Sequence, residues 1–145
     1  MPAWIDAGFA EYAKRMPKEA ALSLTEVKPE PRTAGASMAR LTENEAKRIR
    51  AALPQRAYKV VLDERGRGCT TVELAKRLED WRMEGRDVAF VIGGADGLHA
   101  DVRKDAAWLW SLSPLTLPHG LVRVIVAEQL YRAWSLTQNH PYHRA

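Results

Sequence analysis

A chain of 145 residues, 46% hydrophobic and 28% charged, is long enough for one compact domain with a real core and too short for two ordinary ones. No apolar run approaches the ~20 residues of a membrane span, the start Met1-Pro-Ala-Trp-Ile5 lacks the basic and apolar regions of a signal peptide, and the single Cys69 excludes an internal disulfide while fitting a reducing cytoplasm. Basic side chains exceed acidic ones by four and the isoelectric point is about 9.4, a balance that permits a polyanionic partner such as RNA without demanding one.

Trp4, Ile5, Phe9, Tyr12 and Met16 recur at near-helical spacing, which predicts an amphipathic helix over residues 3–15 ending near Pro17. Leu22, Leu24 and Val27 predict a short strand, and Pro29 to Gly35 a loop. Met38, Leu41, Ile49 and Leu53 mark a second helix that Pro54 stops. Tyr58-Lys-Val-Val-Leu62 reads as a strand and Asp63 to Gly68 as a turn, in which Cys69 is a small neighbouring residue. Thr70 and Glu73 have the spacing of a capping box, in which hydroxyl and carboxylate satisfy reciprocal orphan amides at a helix start. Leu74, Ala75, Leu78 and Trp81 give that third helix one apolar stripe, and Gly85 is placed to end it in the left-handed conformation.

Val88 to Ile92 is apolar without alternation, as in a strand buried on both faces of a helix-covered parallel sheet. Ala106 to Trp110 repeats the pattern after a short polar helix or turn. Strands alternating with helices predict an α/β fold with a mainly parallel sheet flanked by helices, in a single domain over 1–145. Leu121 to Leu136 reads as a helix apolar on more than one face, which calls for burial nearly all round. A second subunit is one cover for it and the centre of a monomer the other. Glu128 and Arg132 lie four apart on it and can pair.

Three stretches carry candidate chemistry. Gly93-Gly-Ala-Asp-Gly97 follows a buried strand, where glycines let a ligand approach the backbone, although neither the dinucleotide fingerprint nor the ending of a phosphate loop is present. It serves equally as a tight turn. Ser111 to His119 is stiffened by Pro114 and Pro118 and suits an adenine-type ring stacked on Leu112, Leu115 and Leu117, with main-chain amides reading its edge. On pattern alone a plain buried connector fits it better. The tail Asn139-His-Pro-Tyr-His-Arg144 holds two of the four histidines, His140 and His143, with His99 and His119 elsewhere. No further ligands stand at metal-binding spacing, so no metal is expected.

Taken together, Val91-Ile-Gly-Gly-Ala-Asp-Gly97, Ser113-Pro-Leu-Thr-Leu-Pro-His119, Val126-Ala-Glu-Gln-Leu-Tyr-Arg132 and Asn139-His-Pro-Tyr-His-Arg144 closely resemble the bacterial RlmH family of SPOUT-class methyltransferases. The likeness covers nearly the whole chain, and the order of the four blocks makes it specific. It implies a C-terminal trefoil knot in the backbone, S-adenosylmethionine as cofactor, and methylation of N3 of a pseudouridine in the helix 69 stem-loop of 23S rRNA within the 70S ribosome. It also implies a cytoplasmic homodimer with a composite active site. Matched position by position, Leu62, Gly93 and Gly94, and the run Leu112, Ser113, Pro114, Leu115, Thr116 and Leu117 would hold the cofactor. His119, His140, Tyr142 and His143 are the candidates for handling the N3 proton or the base, with no single base assigned. Arg123, Arg132 and Arg144 would meet phosphates, each with an ordinary ion pair as its alternative. A knotted tRNA methyltransferase and a non-catalytic ribosome-binding protein of the same fold are the competing readings.

The chain departs from the family in two places. Members usually begin with a strand before the helix that starts here near Pro2, so a truncated or misassigned start is expected, and restoring upstream codons should then raise thermal stability. Ala95-Asp96 stands where Pro-Glu is common, a change of little expected effect because either pair can turn.

Overall fold

A computed structural model describes residues 1–27, 37–93, 98 and 100–143. The predicted loop at 29–35, most of the glycine loop (Gly94 to Gly97), His99 and Arg144 lie outside them. The chain forms two compact units. One comprises Met1–Leu24, Gly68–Arg86 and Leu115–Ala145, the other Thr25–Arg67 and Asp87–Pro114.

The second unit is a sheet with helices. Strands β1 (Tyr58–Arg67), β2 (Val88–Val91) and β3 (Trp108–Trp110) make a three-stranded sheet in the order β2-β1-β3, both pairings parallel. Val61, Val91 and Leu109 share a register row, and Val61 and Val91 are buried with Ala46 of α2 (Met38–Ala52) and Val102 of α4 (Ala100–Lys104). Ile49, Leu53, Leu98 and Ala106 close around them. The alternate row carries Val60, Phe90 and Trp108, and Phe90 and Trp108 both pack near Trp110 (ring centroids 6.1 and 5.0 Å). Because β1 is the middle strand, it holds the most deeply buried pair, Val60 and Val61. The Ser37 hydroxyl caps α2 by accepting from the Arg40 amide at 3.2 Å.

Helices α1 (Ala3–Ala13), α3 (Thr71–Glu84) and α5 (His119–Thr137) form the other unit, with α5 packed on both of the others. Two glycines set the α1–α5 approach. A Cβ on Gly120 would fall 2.2 Å from Ile5 Cδ1, and one on Gly8 3.2 Å from Val124. The capping box predicted for α3 is present in both directions: Glu73 N–H donates to Thr70 Oγ1 at 3.1 Å and Thr70 N–H to Glu73 Oε1 at 2.9 Å. Gly85, at φ 66°, ends α3 in a left-handed turn, with Arg86 N–H returning to the Trp81 carbonyl and Gly85 N–H to that of Arg82.

Four expectations are corrected. Residues 21–27 take no regular structure after a short helical turn at Lys18–Ala20, and Leu24 is exposed. An extended, apolar segment becomes a strand only when a neighbour supplies its hydrogen bonds, and among the described residues none does. The strand predicted at Val88–Ile92 stops at Val91 and lies at the sheet edge, so three of its four residues are only half-buried. The supposed turn from Asp63 onward is a break inside β1, which leaves its pairing after Leu62 and resumes it in a shifted register at Arg67, so that Leu62 and Arg67 both stand opposite Trp110. The final helix begins at His119 rather than Leu121 because Pro118, at φ −66°, sits in the flanking position and its carbonyl accepts from Val122 N–H at 3.0 Å.

Candidate active site

Parallel pairing aligns the three strand ends. Val61 stands beside Val91, and Leu62 beside Trp110, so Leu62, Gly93 and Leu112 leave the sheet at one common edge. These are carboxyl ends, the side on which ligands of open α/β sheets bind. The break in β1 furnishes one wall of this edge. The Asp63 carboxylate accepts from the Arg65 amide at 2.9 Å and lies 3.5 Å from the Arg103 guanidinium, which folds residues 63–66 into a compact excursion. The returning strand then meets β3 closely: a Cβ on Gly66 would be 2.4 Å from the Leu109 carbonyl oxygen, and Ser111 N–H donates to the Arg67 carbonyl at 3.0 Å. Only glycine allows that approach. Ser111 Oγ donates to the Ser113 carbonyl at 3.0 Å, fixing the first turn of the loop that holds Leu112, Ser113 and Pro114. Leu115 is exposed, as is Thr116, and Leu117 is half-buried before Pro118 opens α5.

The remaining candidates gather on the helical unit. Asn139, at φ 54°, terminates α5: its N–H returns to the Leu136 carbonyl at 3.2 Å and that of His140 to Ser135 at 2.8 Å. This paired closure folds the tail back on the helix, and asparagine tolerates the left-handed backbone it requires. Pro141–His143 then forms a single tight turn. Its Tyr142 ring packs on Tyr131 with centroids 4.6 Å apart, and its hydroxyl donates to Glu128 Oε2 at 3.1 Å. Arg132 makes two contacts to the same carboxylate (3.1 and 3.3 Å from Nε) and lies 4.9 Å from the Tyr142 ring centre. The Glu128–Arg132 pair is therefore the one the spacing predicted. Arg15 sits over Tyr12, Tyr131 and Tyr142 at 5.3, 5.6 and 5.8 Å while Glu11 holds its far side.

These contacts assign chemistry. Burial pushes the Tyr142 phenol up to about 12, helped by the neighbouring Tyr12 and by the Glu128 carboxylate. A phenol so held is a hydrogen-bond donor at neutral pH and not a proton acceptor. His140 Nδ1 accepts from the Tyr142 backbone N–H at 3.2 Å, which occupies one imidazole lone pair and leaves the proton of the neutral ring on Nε2. His119 is the first residue of α5, half-buried. Of the arginines, Arg123 lies 3.8 Å from Asp6 and Arg132 is bound to Glu128. The sequence reading missed Glu128 as a tail anchor, and it missed the exposed Arg65 and Arg67 at the carboxyl edge of the sheet. The i, i+4 pair was the available signal for Glu128. For the two arginines there was none, because the strand break that presents them depends on distant β3.

Comparison with known proteins decides the family. The family model described as "Predicted SPOUT methyltransferase" matches residues 1–143. The chain belongs to the SPOUT methyltransferases. A protein of Burkholderia cenocepacia (strain HI2424) named "Ribosomal RNA large subunit methyltransferase H" is 59% identical over 145 residues, covering 100% of this chain and 93% of that one. Proteins of the same name from Ralstonia pickettii (strain 12J), 58% identical over 144 residues (99% of this chain, 92% of that one), and Bordetella avium (strain 197N), 56% identical over 145 residues (100% and 93%), are similar to the same extent. The three-stranded parallel sheet with its helices agrees with the α/β class expected from the sequence.

Proposed function

We propose that this chain is an S-adenosylmethionine-dependent methyltransferase acting on large-subunit ribosomal RNA, at N3 of the helix 69 pseudouridine in the assembled ribosome. The observation that carries the reading is the carboxyl edge of the parallel sheet in a SPOUT chain, supported by relatives named as rRNA methyltransferases that match 100% of this chain and 93% of their own length.

The residues fit the cofactor. Leu62 and Leu112 offer apolar surface to a flat purine, and Gly93, just past β2, has no side chain to bar close approach to its backbone. The loop over Leu112 to Pro114, pinned by Ser111, presents main-chain groups at fixed positions. Leu115 to Leu117 continue this loop, and Gly94 belongs to the same proposed site. When bound, the cofactor supplies a sulfonium-activated methyl group. The protein's task is then alignment, since holding the nucleobase nitrogen in line with the methyl carbon replaces a bimolecular search. The imide proton on N3 must leave as the bond forms. His119, His140 and His143 are the candidates to accept it, and Tyr142, whose own proton is donated to Glu128, is proposed to hydrogen-bond the base through its hydroxyl oxygen. With Nδ1 accepting from the Tyr142 amide, His140 would first have to release that amide before Nδ1 could take the proton.

Phosphate contacts are proposed for Arg123, Arg132 and Arg144 and, from their exposure at the sheet edge, for Arg65 and Arg67. A homodimer is proposed to cover α5, where Leu121, Val122, Ile125 and Leu136 keep part of their apolar surface exposed. The trefoil knot and a composite site shared between subunits belong to the same reading. Cytoplasmic action follows from the ribosomal substrate, and no described helix is long and apolar enough to cross a membrane.

Transfer of tritium from methyl-labelled S-adenosylmethionine to ribosomes lacking the modification tests this reading. Label in 23S rRNA at one helix 69 nucleotide is expected. Label confined to tRNA would favour the related tRNA activity, and a folded dimer that binds no S-adenosylmethionine in a calorimeter would leave a ribosome-binding protein.

A further inference from the structure

Among the described residues the Glu128 carboxylate gathers hydrogen bonds from three side chains, one of them Tyr142 of the tail. Its carboxylate accepts from the Tyr142 hydroxyl at 3.1 Å, from Arg132 Nε and its terminal amine (3.0 Å), and from Gln129 Nε2 at 2.9 Å. Gln129 in turn accepts, through Oε1, from the Thr71 hydroxyl at 2.9 Å, which ties the cluster to the first residue of α3 just past the capping box. The line Thr71–Gln129–Glu128–Tyr142 thus connects a rigid helix start to the tail. On its other side the Tyr142 ring is held by Tyr131 at 4.6 Å and by the guanidinium groups of Arg132 and Arg15. Tyr131 also meets the His140 ring at 6.5 Å.

These hydrogen bonds are all part-buried, and each of that kind alone stabilises a fold little. Their common geometry does something else. The phenol has a single rotatable proton and donates it to Glu128, with Tyr12 beside the same hydroxyl, so the hydroxyl direction is set before any substrate arrives, while Tyr131 packs against the ring. Preorganisation of that sort acts on alignment and hence on the rate of the chemical step, with little effect on cofactor affinity.

We propose that Glu128 is a positioning residue for the methyl-transfer reaction: by fixing the Tyr142 hydroxyl it sets the register in which the tail presents His140 and its neighbours to the RNA base. The proposal rests on the functional reading above. It assigns Glu128 no contact with substrate or cofactor.

The test is a double-mutant cycle with Tyr142→Phe, Glu128→Ala and the two combined, plus Glu128→Gln. Single-turnover methyl transfer to ribosomes gives the rate, titration of S-adenosylmethionine gives KM, and the resonance of 13Cζ-labelled tyrosine gives the environment of Tyr142 whether or not the protein turns over. Each single change is expected to lower kcat about tenfold, the worth of one well-placed hydrogen bond, with KM for the cofactor unchanged. The combined variant should be no slower than the slower single one. Glu128→Gln keeps an oxygen that accepts from the phenol and should retain roughly a third or more of the rate. The Tyr142 resonance should move in Glu128→Ala. Effects that multiply in the combined variant, or no rescue by glutamine, overturn the proposal. If the parent transfers no methyl group to any ribosome preparation, the functional reading fails, whereas an unmoved Tyr142 resonance in Glu128→Ala overturns the positioning itself.

Discussion

Gly66 and Gly85 separate two reasons for glycine, and substituting each by alanine should give opposite functional results. At Gly66 the backbone has an ordinary φ but no space: the new methyl would lie 2.4 Å from the Leu109 carbonyl oxygen, 2.5 Å from its carbon and 3.0 Å from the Trp110 nitrogen. All three are backbone atoms, so no side chain can swing away, and β1 and β3 must part by roughly 1 Å to reach ordinary contact. Overpacking of that kind costs about 1–3 kcal/mol. The Ser111–Arg67 hydrogen bond lies in the same place, and its loss adds ~1 kcal/mol. A total of about 2–4 kcal/mol corresponds to a fall in Tm of about 10 °C for a protein of this size. At Gly85 the situation is reversed. Nothing lies within 4 Å, but φ is +66°, so alanine suffers only the left-handed backbone, about 1 kcal/mol and a few degrees. Thermal unfolding with calorimetric titration of S-adenosylmethionine reads both. Gly66→Ala should melt much earlier and bind the cofactor weakly, because the displaced segment carries Leu112 to Pro114. Gly85→Ala should bind normally. A Gly66→Ala protein that melts within about 1 °C of the parent and binds the cofactor as well would refute the close-approach argument.

Thr70→Ala should cost about 1 kcal/mol through loss of the α3 cap, measured by chemical denaturation. Hydrogen bonds from Thr70 hold the Glu73 carboxyl below its ordinary 4.5, so the stability it confers is present above 4.5 and is lost as pH falls through the lower folded value; Glu73→Gln should flatten this acid limb of the stability curve. Val61→Ala, at a fully buried position of β1, should cost about 2 kcal/mol by the same assay, against less than about 0.5 kcal/mol for the exposed Val72→Ala. Truncation before Asn139 should abolish methylation while leaving cofactor binding largely intact, since Leu62, Gly93 and Leu112 to Pro114 belong to the sheet unit; unchanged turnover on 70S ribosomes would show that the tail takes no part.

What could be read from the sequence was governed by distance along the chain. The capping box at Thr70 and Glu73, the left-handed end of α3 at Gly85 and the Glu128–Arg132 pair each depend on residues within five positions, and each is present. The short strand at Leu22 to Val27 failed because apolar alternation says nothing about whether a neighbouring strand exists to pair with it. Apolar runs are equally silent on strand order. Tyr58 to Leu62 and Val88 to Ile92 are similar in character, yet β1 lies in the centre and β2 at the edge, a matter of topology that composition does not encode. The break after Leu62 was hidden because its cause, the Leu109 backbone, is distant in the chain. For the site, the four sequence blocks named the family, while the roles of Glu128, Arg15 and Tyr12 emerged only when Asn139 was seen to turn the tail back onto α5.

The most direct test of the proposed activity is mass spectrometry of 23S rRNA from a strain in which the gene for this chain is deleted. One methyl group should disappear from the helix 69 pseudouridine and return when the intact gene is supplied. A helix 69 fragment of unchanged mass in the deletion strain would contradict the proposed activity.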